Sequence, residues 1–207
     1  MRLFIAVNFD SETKRQILAV QDKIKKETQN GKFTQPENLH LTLVFLGETA
    51  EERLPEIKDA IIQAASDRKF KTAINLVFSK TGFFKRGGKE LWYLGLNNQK
   101  IDGETQLKML QQRLAHELIK RNFVIDKRPF NAHITLGREI KSDPPSNSGL
   151  VHDNGLWPFE TDDIVIQIKR ISLMQSHHKL DHKKKNVLVY SELFGYDIKT
   201  TANAEPH

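Results

Sequence analysis

Cysteine is absent from all 207 residues. That excludes a disulfide-stapled scaffold, a Cys-ligated zinc site and a thiol nucleophile, and it suits a reducing compartment. No apolar run approaches the roughly 20 residues that a membrane helix needs. Met1-Arg2-Leu3-Phe4 opens a strand-like segment rather than a secretory signal. A soluble, cytoplasmic chain with no membrane partner is expected. Aromatic residues are few, at 8%, yet hydrophobic residues at 38% suffice for a sizeable core, so a disordered chain is excluded. Acidic residues are outnumbered, 26 against 32 Lys and Arg, for a net charge of +6. A basic excess of that size favours polyanionic or phosphorylated ligands without identifying one.

What is present alternates between strand-like and helical runs. Arg2–Asn8 reads as an apolar strand, followed by a helix capped by Asp10 or Ser11 that runs to about Gln29, with Gly31 at its C-terminus. Leu39–Leu46 reads as a strand, and Glu51 to about Ala65 as an amphipathic helix. Thr72–Phe78 and Leu91–Leu96 suggest a hairpin about Lys85-Arg86-Gly87-Gly88-Lys89. A helix is predicted from Asp102 to about Arg121 with a Leu107, Leu110, Leu114, Leu118 stripe. Phe130–Leu136, Ile164–Met174 and Val187–Phe194 read as strands, Ser142–Gly155 as a surface loop and Thr200–His207 as a frayed tail. Without a strict βαβα period, the class expected is α+β.

One tetrapeptide pattern occurs twice. Leu39-His40-Leu41-Thr42-Leu43 is echoed 93 positions later by Ala132-His133-Ile134-Thr135-Leu136. Chance alone would supply one H-x-T-L match in roughly 5% of chains of this composition and two in well under 1%. Strand side chains alternate faces, so His40 and Thr42 point one way, as do His133 and Thr135. Two such strands side by side aim two imidazoles and two hydroxyls into one cleft. One imidazole can take a proton from water, the other can protonate a departing oxygen, and the hydroxyls can hold phosphate oxygens. Spacing alone does not say which histidine is acid and which is base.

The paired motifs resemble the two-histidine (2H) phosphoesterases. Pro36-Glu37-Asn38-Leu39-His40-Leu41-Thr42-Leu43-Val44-Phe45-Leu46-Gly47-Glu48 resembles the first signature of the bacterial and archaeal RNA 2′,3′-cyclic phosphodiesterases, also called 2′-5′ RNA ligases. Arg128-Pro129-Phe130-Asn131-Ala132-His133-Ile134-Thr135-Leu136-Gly137-Arg138 is similar to the second. Arg2-Leu3-Phe4-Ile5-Ala6 and Leu91-Trp92-Tyr93-Leu94-Gly95-Leu96 extend the likeness to about residues 2–198. Ala132 stands where that family usually has proline, and Gly137 where it usually has alanine.

The resemblance implies a bilobal α+β domain over residues 1–198. Two antiparallel sheets with flanking helices would surround a central cleft, related by a pseudo-twofold repeat, with residues 199–207 as a flexible tail. It implies a monomer without cofactor or metal that hydrolyses RNA 2′,3′-cyclic phosphate ends to 2′-phosphates, with 2′-5′ ligation as the reverse reaction. His40 would be the general acid, His133 the general base, and Thr42 and Thr135 the phosphate-oxygen ligands. Arg138 would meet the phosphate and Phe45 would stack the terminal base. Strand parity conflicts with the last two, since each lies five residues after its histidine and should face away.

The other histidines are blander. His116 lies on a helix flank, His152 in the polar loop, and His177, His178 and His182 lack the spacing of a metal site. Lys85, Arg86, Lys89 and the Lys183–Lys185 run read as solvated charge or as guides for an RNA backbone. Two further functions stay open: a cyclic phosphodiesterase for a small nucleotide, and a non-catalytic RNA-binding module. Intact His40, Thr42, His133 and Thr135 argue against the second.

Overall fold

The computed structural model describes residues 1–26, 28, 30–66, 70, 74–86, 88–97, 103–141, 160–180 and 186–198. Thr72, Asp102, the Ser142–Gly155 loop, His152, His182, the Lys183–Lys185 run and the tail from residue 199 lie outside the described residues. Among those described, nine strands and three helices follow in the order β1 (Arg2–Asn8), α1 (Ser11–Lys26), β2 (Asn30–Phe33), β3 (His40–Glu48), α2 (Leu54–Ala65), β4 (Ile74–Arg86), β5 (Lys89–Leu96), α3 (Gly103–Lys120), β6 (His133–Lys141), β7 (Glu160–Ile168), β8 (Arg170–Leu180) and β9 (Asn186–Asp197). Among the described residues no helix is long and apolar enough to cross a membrane.

All strand pairings are antiparallel, in the order β7-β4-β5-β6-β3-β1-β8-β9, with β2 added to β6. The strands therefore form one continuous sheet where two were expected. Its halves, five strands (β7, β4, β5, β6 and β2) and four (β3, β1, β8 and β9), meet where β3 and β6 touch, through the single pair Leu41↔Ile134. The extended run read as Ile164–Met174 is divided at Lys169: β7 pairs with β4 in one half and β8 with β1 in the other. One residue thus separates strands that the sheet order sets far apart, which requires the sheet to curl.

Burial explains why β1 is apolar throughout. Leu3, Ile5 and Val7 enter the main core, while Phe4 and Ala6, on the opposite face, pack against Met174 and Tyr190. A strand covered on both faces reads as a continuous hydrophobic run. The main core is completed by Ile17, Val20 and Ile24 of α1, Ile57 and Ile61 of α2, and Leu107, Leu110, Leu114 and Leu118 of α3. The Asp10 carboxylate accepts from the Thr13 amide at 2.8 Å and caps α1, which lowers its pKa.

Three local expectations change. Gly31 does not cap α1. It sits in β2, where a Cβ would come within 2.5 Å of Ile140 Cγ1, so glycine here permits close approach to β6. The hairpin strands extend through Arg86 and from Lys89, with Gly88, at φ +73°, in the turn between them. Strand β6 begins at His133 rather than Phe130.

Candidate active site

The pair Leu41↔Ile134 fixes how the two histidine strands face each other. In antiparallel register it sets His40 opposite Thr135 and Thr42 opposite His133. Leu41 and Ile134 are both fully buried, so the four motif side chains share the other face of the sheet. Diagonal neighbours in such a ladder lie about 7–8 Å apart. His40 and His133 occupy that diagonal, a spacing that a phosphorus with its oxygens can bridge.

Each histidine is oriented in the same way. His40 Nδ1 lies 2.7 Å from the Asn38 carbonyl oxygen, and His133 Nδ1 lies 2.8 Å from that of Asn131. A carbonyl only accepts, so both Nδ1 atoms carry the proton and both Nε2 atoms carry the lone pair in the neutral rings. His40 Nε2 sits 3.0 Å from the Thr42 hydroxyl. His133 Nε2 has no hydrogen-bond partner among the described residues. Rings complete the walls: Phe4 and Tyr190 flank His40 at 4.9 and 5.1 Å, and Phe84 and Tyr93 flank His133 at 5.8 and 5.6 Å.

That enclosure sets the electrostatics. Burial pushes the His40 pKa down to about 4, with the charges of Arg138 and His133 adding to the fall against the Asn38 hydrogen bond. Burial and Arg138 also lower His133, against the Asn131 hydrogen bond. Both rings are neutral at pH 7 in the unliganded protein.

Arg138 acts on both histidines and so stands within electrostatic reach of the pair, despite the parity argument. The cause is a bulge. Thr135 and Gly137 of β6 face consecutive residues of β5, Tyr93 and Trp92, so one extra residue is fitted between them. The extra residue reverses the alternation and returns Arg138 to the histidine face. Strand β3 does the same, since Thr42 and Val44 face the consecutive Ala6 and Ile5 of β1. Leu43 and Val44 are both buried, as are Leu136 and Gly137. Phe45 emerges 58% exposed with its ring 6.3 Å from Phe4, beside His40.

The six residues singled out from sequence are thus placed about one face. The other described histidines stand on elements that carry neither motif: His116 is on α3, and His177 and His178 are on β8, opposite Val189 and Leu188. Among the described residues no three His, Asp or Glu side chains gather closely enough to hold a metal ion.

The LigT-like phosphoesterase family model matches residues 7–88 and 101–180, and both histidine motifs fall inside it. The chain belongs to that family. An RNA 2′,3′-cyclic phosphodiesterase of Thermotoga maritima is 31% identical over 161 residues, covering 77% of this chain and 81% of its own. One from Archaeoglobus fulgidus is 31% identical over 145 residues, 70% and 76% respectively. The crystal structure of a Thermus thermophilus protein covers 97% of this chain and 100% of its own, at TM-score 0.68 and 23% identity. That of E. coli LigT complexed with 3′-AMP covers 96% and 98%, at 0.66 and 24%.

Within this LigT-like frame one departure has a local reason. A Cβ on Gly137 would come within 2.7 Å of Ile140 Cδ1 and 3.1 Å of Phe33 Cδ1, so glycine spares these two side chains a shift. Sequence reasoning assigned no site role to Asn38, Asn131, Phe4, Tyr190, Phe84 or Tyr93. A signal for the first two was there: the repeat is longer than H-x-T-L and begins with asparagine, Asn38-Leu39-His40 and Asn131-Ala132-His133. The four rings come from other strands of the sheet, and no spacing rule connects them to the motifs.

Proposed function

We propose that this protein is a phosphodiesterase that hydrolyses the 2′,3′-cyclic phosphate at an RNA end to a 2′-phosphate. The observation that carries the reading is the matched pair of Asn-x-His-x-Thr segments, which share one face by the Leu41↔Ile134 register, each histidine held at Nδ1 by a backbone carbonyl. The names of the relatives at 31% identity agree with it.

His133, whose Nε2 lone pair is unclaimed, takes a proton from water as the water attacks phosphorus. The bond to the 3′ oxygen breaks, and His40 Nε2 delivers a proton to that oxygen. Thr42 links the two jobs. When His40 is protonated its Nε2–H donates to the Thr42 oxygen, which frees the Thr42 hydroxyl proton for a phosphate oxygen. Thr135 binds a second oxygen, Arg138 offsets the charge that builds on the phosphoryl group, and Phe45 supplies a ring for the terminal base. The unliganded His40 is a poor proton donor at neutral pH because its pKa is about 4. A phosphodiester anion between the rings counteracts Arg138 and raises both histidines, so substrate itself loads the acid.

The deciding experiment is turnover of an oligonucleotide ending in 2′,3′-cyclic phosphate in excess EDTA, with the product ends identified. A 2′-phosphate product supports the reading. A 3′-phosphate product, or activity abolished by chelation and restored by one metal, overturns it. The basic charge and the lack of cysteine fit a monomer working on RNA in the cytoplasm, with residues 1–198 as its single domain.

A further inference from the structure

The end of β6 carries a second irregularity. From Gly137 to Ile140 it uses one residue more than β5, where Trp92 and Glu90 face those positions. From Arg138 to Lys141 it uses one more than β2, where Lys32 and Asn30 face them. Glu139 takes up the excess with a φ of +54°, the left-handed conformation that disfavours a side chain of this kind. Strain of this sort persists where the surroundings fix it, and it gathers at functional positions. Here the surroundings are two ammonium groups, one from each flanking strand. Lys32 Nζ of β2 donates to Glu139 Oε1 at 2.8 Å, and Lys89 Nζ of β5 donates to Oε2 at 3.2 Å. Both lysines hold the Glu139 carboxyl below its ordinary pKa.

We propose that Glu139 is a positioning residue for this reaction: clamped by Lys32 and Lys89, it fixes the bulge that aims Arg138 at the phosphate, an inference that rests on the phosphodiesterase reading above. Arg138 is its immediate neighbour in the chain. Among the described residues the Arg138 guanidinium has no hydrogen-bond or ion-pair partner, so the conformation of the bulge, and no polar contact, sets its direction. Lys32 is also paired directly opposite Arg138, and like charges so placed repel each other. The carboxylate offsets that repulsion. With both of its oxygens engaged by lysines, it does not compete with a phosphate for Arg138. All three side chains of the clamp are exposed, and exposed ion pairs contribute little to stability. A strained residue held by weak surface pairs therefore matters through where it puts Arg138 rather than through folding.

The test measures kcat/KM on an oligonucleotide ending in 2′,3′-cyclic phosphate, across pH at one ionic strength, beside melting temperatures. Glu139→Gly accepts the left-handed backbone and removes the clamp, so its melting temperature should not fall. Its kcat/KM should nonetheless drop about tenfold, since a small misplacement of a group that meets the reacting phosphate costs that much or more. Glu139→Asn, which also tolerates the conformation, should behave alike. The direction of the pH shift separates positioning from charge. Loss of a carboxylate alone leaves the site more positive and lowers the histidines, whereas Arg138 turning away raises them. The kcat/KM profile should therefore move to higher pH. In an Arg138→Ala background, Glu139→Gly should cost less than about twofold more, because both changes act through one group. Glu12→Gln, which removes a carboxylate from α1, should leave kcat/KM alone. Three results overturn the inference and leave the phosphodiesterase reading standing: wild-type kcat/KM in both Glu139 variants, a profile unmoved or moved to lower pH, or the full tenfold loss kept in the Arg138→Ala background. A wild-type protein that does not turn over this substrate removes both.

Discussion

His40 and His133 are held alike, yet burial weighs more heavily on His40, and that asymmetry is measurable. His40→Ala and His133→Ala should each lower kcat roughly 10²–10⁴-fold with the fold intact, and the double variant should be little worse, because acid and base serve one displacement. Melting curves run beside the kinetics check this: a lower melting temperature with wild-type turnover of the folded fraction would sink the assignment. The pH profile of kcat/KM reports the free protein, in which one histidine sits near 4 and the other below its usual 6.5. The optimum is therefore expected on the acid side of neutrality, with the optimum of kcat at higher pH, since bound phosphate raises both groups. Arg138→Ala removes a charge that depresses both rings and should shift the kcat/KM profile upward as well as weaken it. Coincident kcat and kcat/KM profiles would contradict this. Stability carries the same sign: the unfolded chain takes up a proton at His40 near pH 6.5 and the folded chain only near 4. The protein should lose roughly 3 kcal/mol across that interval relative to His40→Gln, read from denaturant midpoints.

At the scale of elements, the bulges in β3 and β6 decide which side chains reach the reaction site. Phe45 and Arg138 stand five residues after their histidines, and strict alternation assigns both to the wrong face. Alternation is otherwise a sound guide: it sets His40 with Thr42 and His133 with Thr135 from the sequence alone, and the β3–β6 pairing adds that the two sets are neighbours. It fails after each motif because a bulge is set by pairing with the partner strand, β1 or β5, and its only local trace is two successive buried positions, Leu43-Val44 in β3 and Leu136-Gly137 in β6. For a similar reason β2 is not legible in the sequence. Its Asn30-Gly31-Lys32-Phe33 run has turn-like composition and becomes a strand only by pairing with β6. Helices α1 and α3 are legible because their apolar stripes recur at helical spacing. Phe45→Ala should raise KM for cyclic-phosphate substrates several-fold with little change in stability, as expected of a ring already 58% exposed. Gly137→Ala should cost about 1 kcal/mol by crowding Ile140 and Phe33, and leave turnover nearly unchanged. A Phe45→Ala protein with unaltered KM would return that ring to a purely packing role.

For the whole molecule, the informative feature is the place of the first strand. Strand β1 lies between β3, which follows soon after it, and β8, which is made only after α2, β4, β5, α3, β6 and β7. A fragment ending at residue 168 keeps β1 and β3 but loses Met174 and Tyr190, which cover Phe4 and Ala6. It should bind a hydrophobic dye and lack a cooperative melt, and a sharp two-state transition would show that this half folds without its closing hairpin. During synthesis the same arrangement imposes an order of events. The chain leaves the ribosome with β1 ahead of β3, yet the second neighbour of β1 emerges only with residues 170–180. Pairings of such long sequence separation are slow to form and leave strand edges open meanwhile. The nascent protein therefore carries an unsatisfied apolar edge on β1 until β8 is made, and a chaperone can bind it there in that interval.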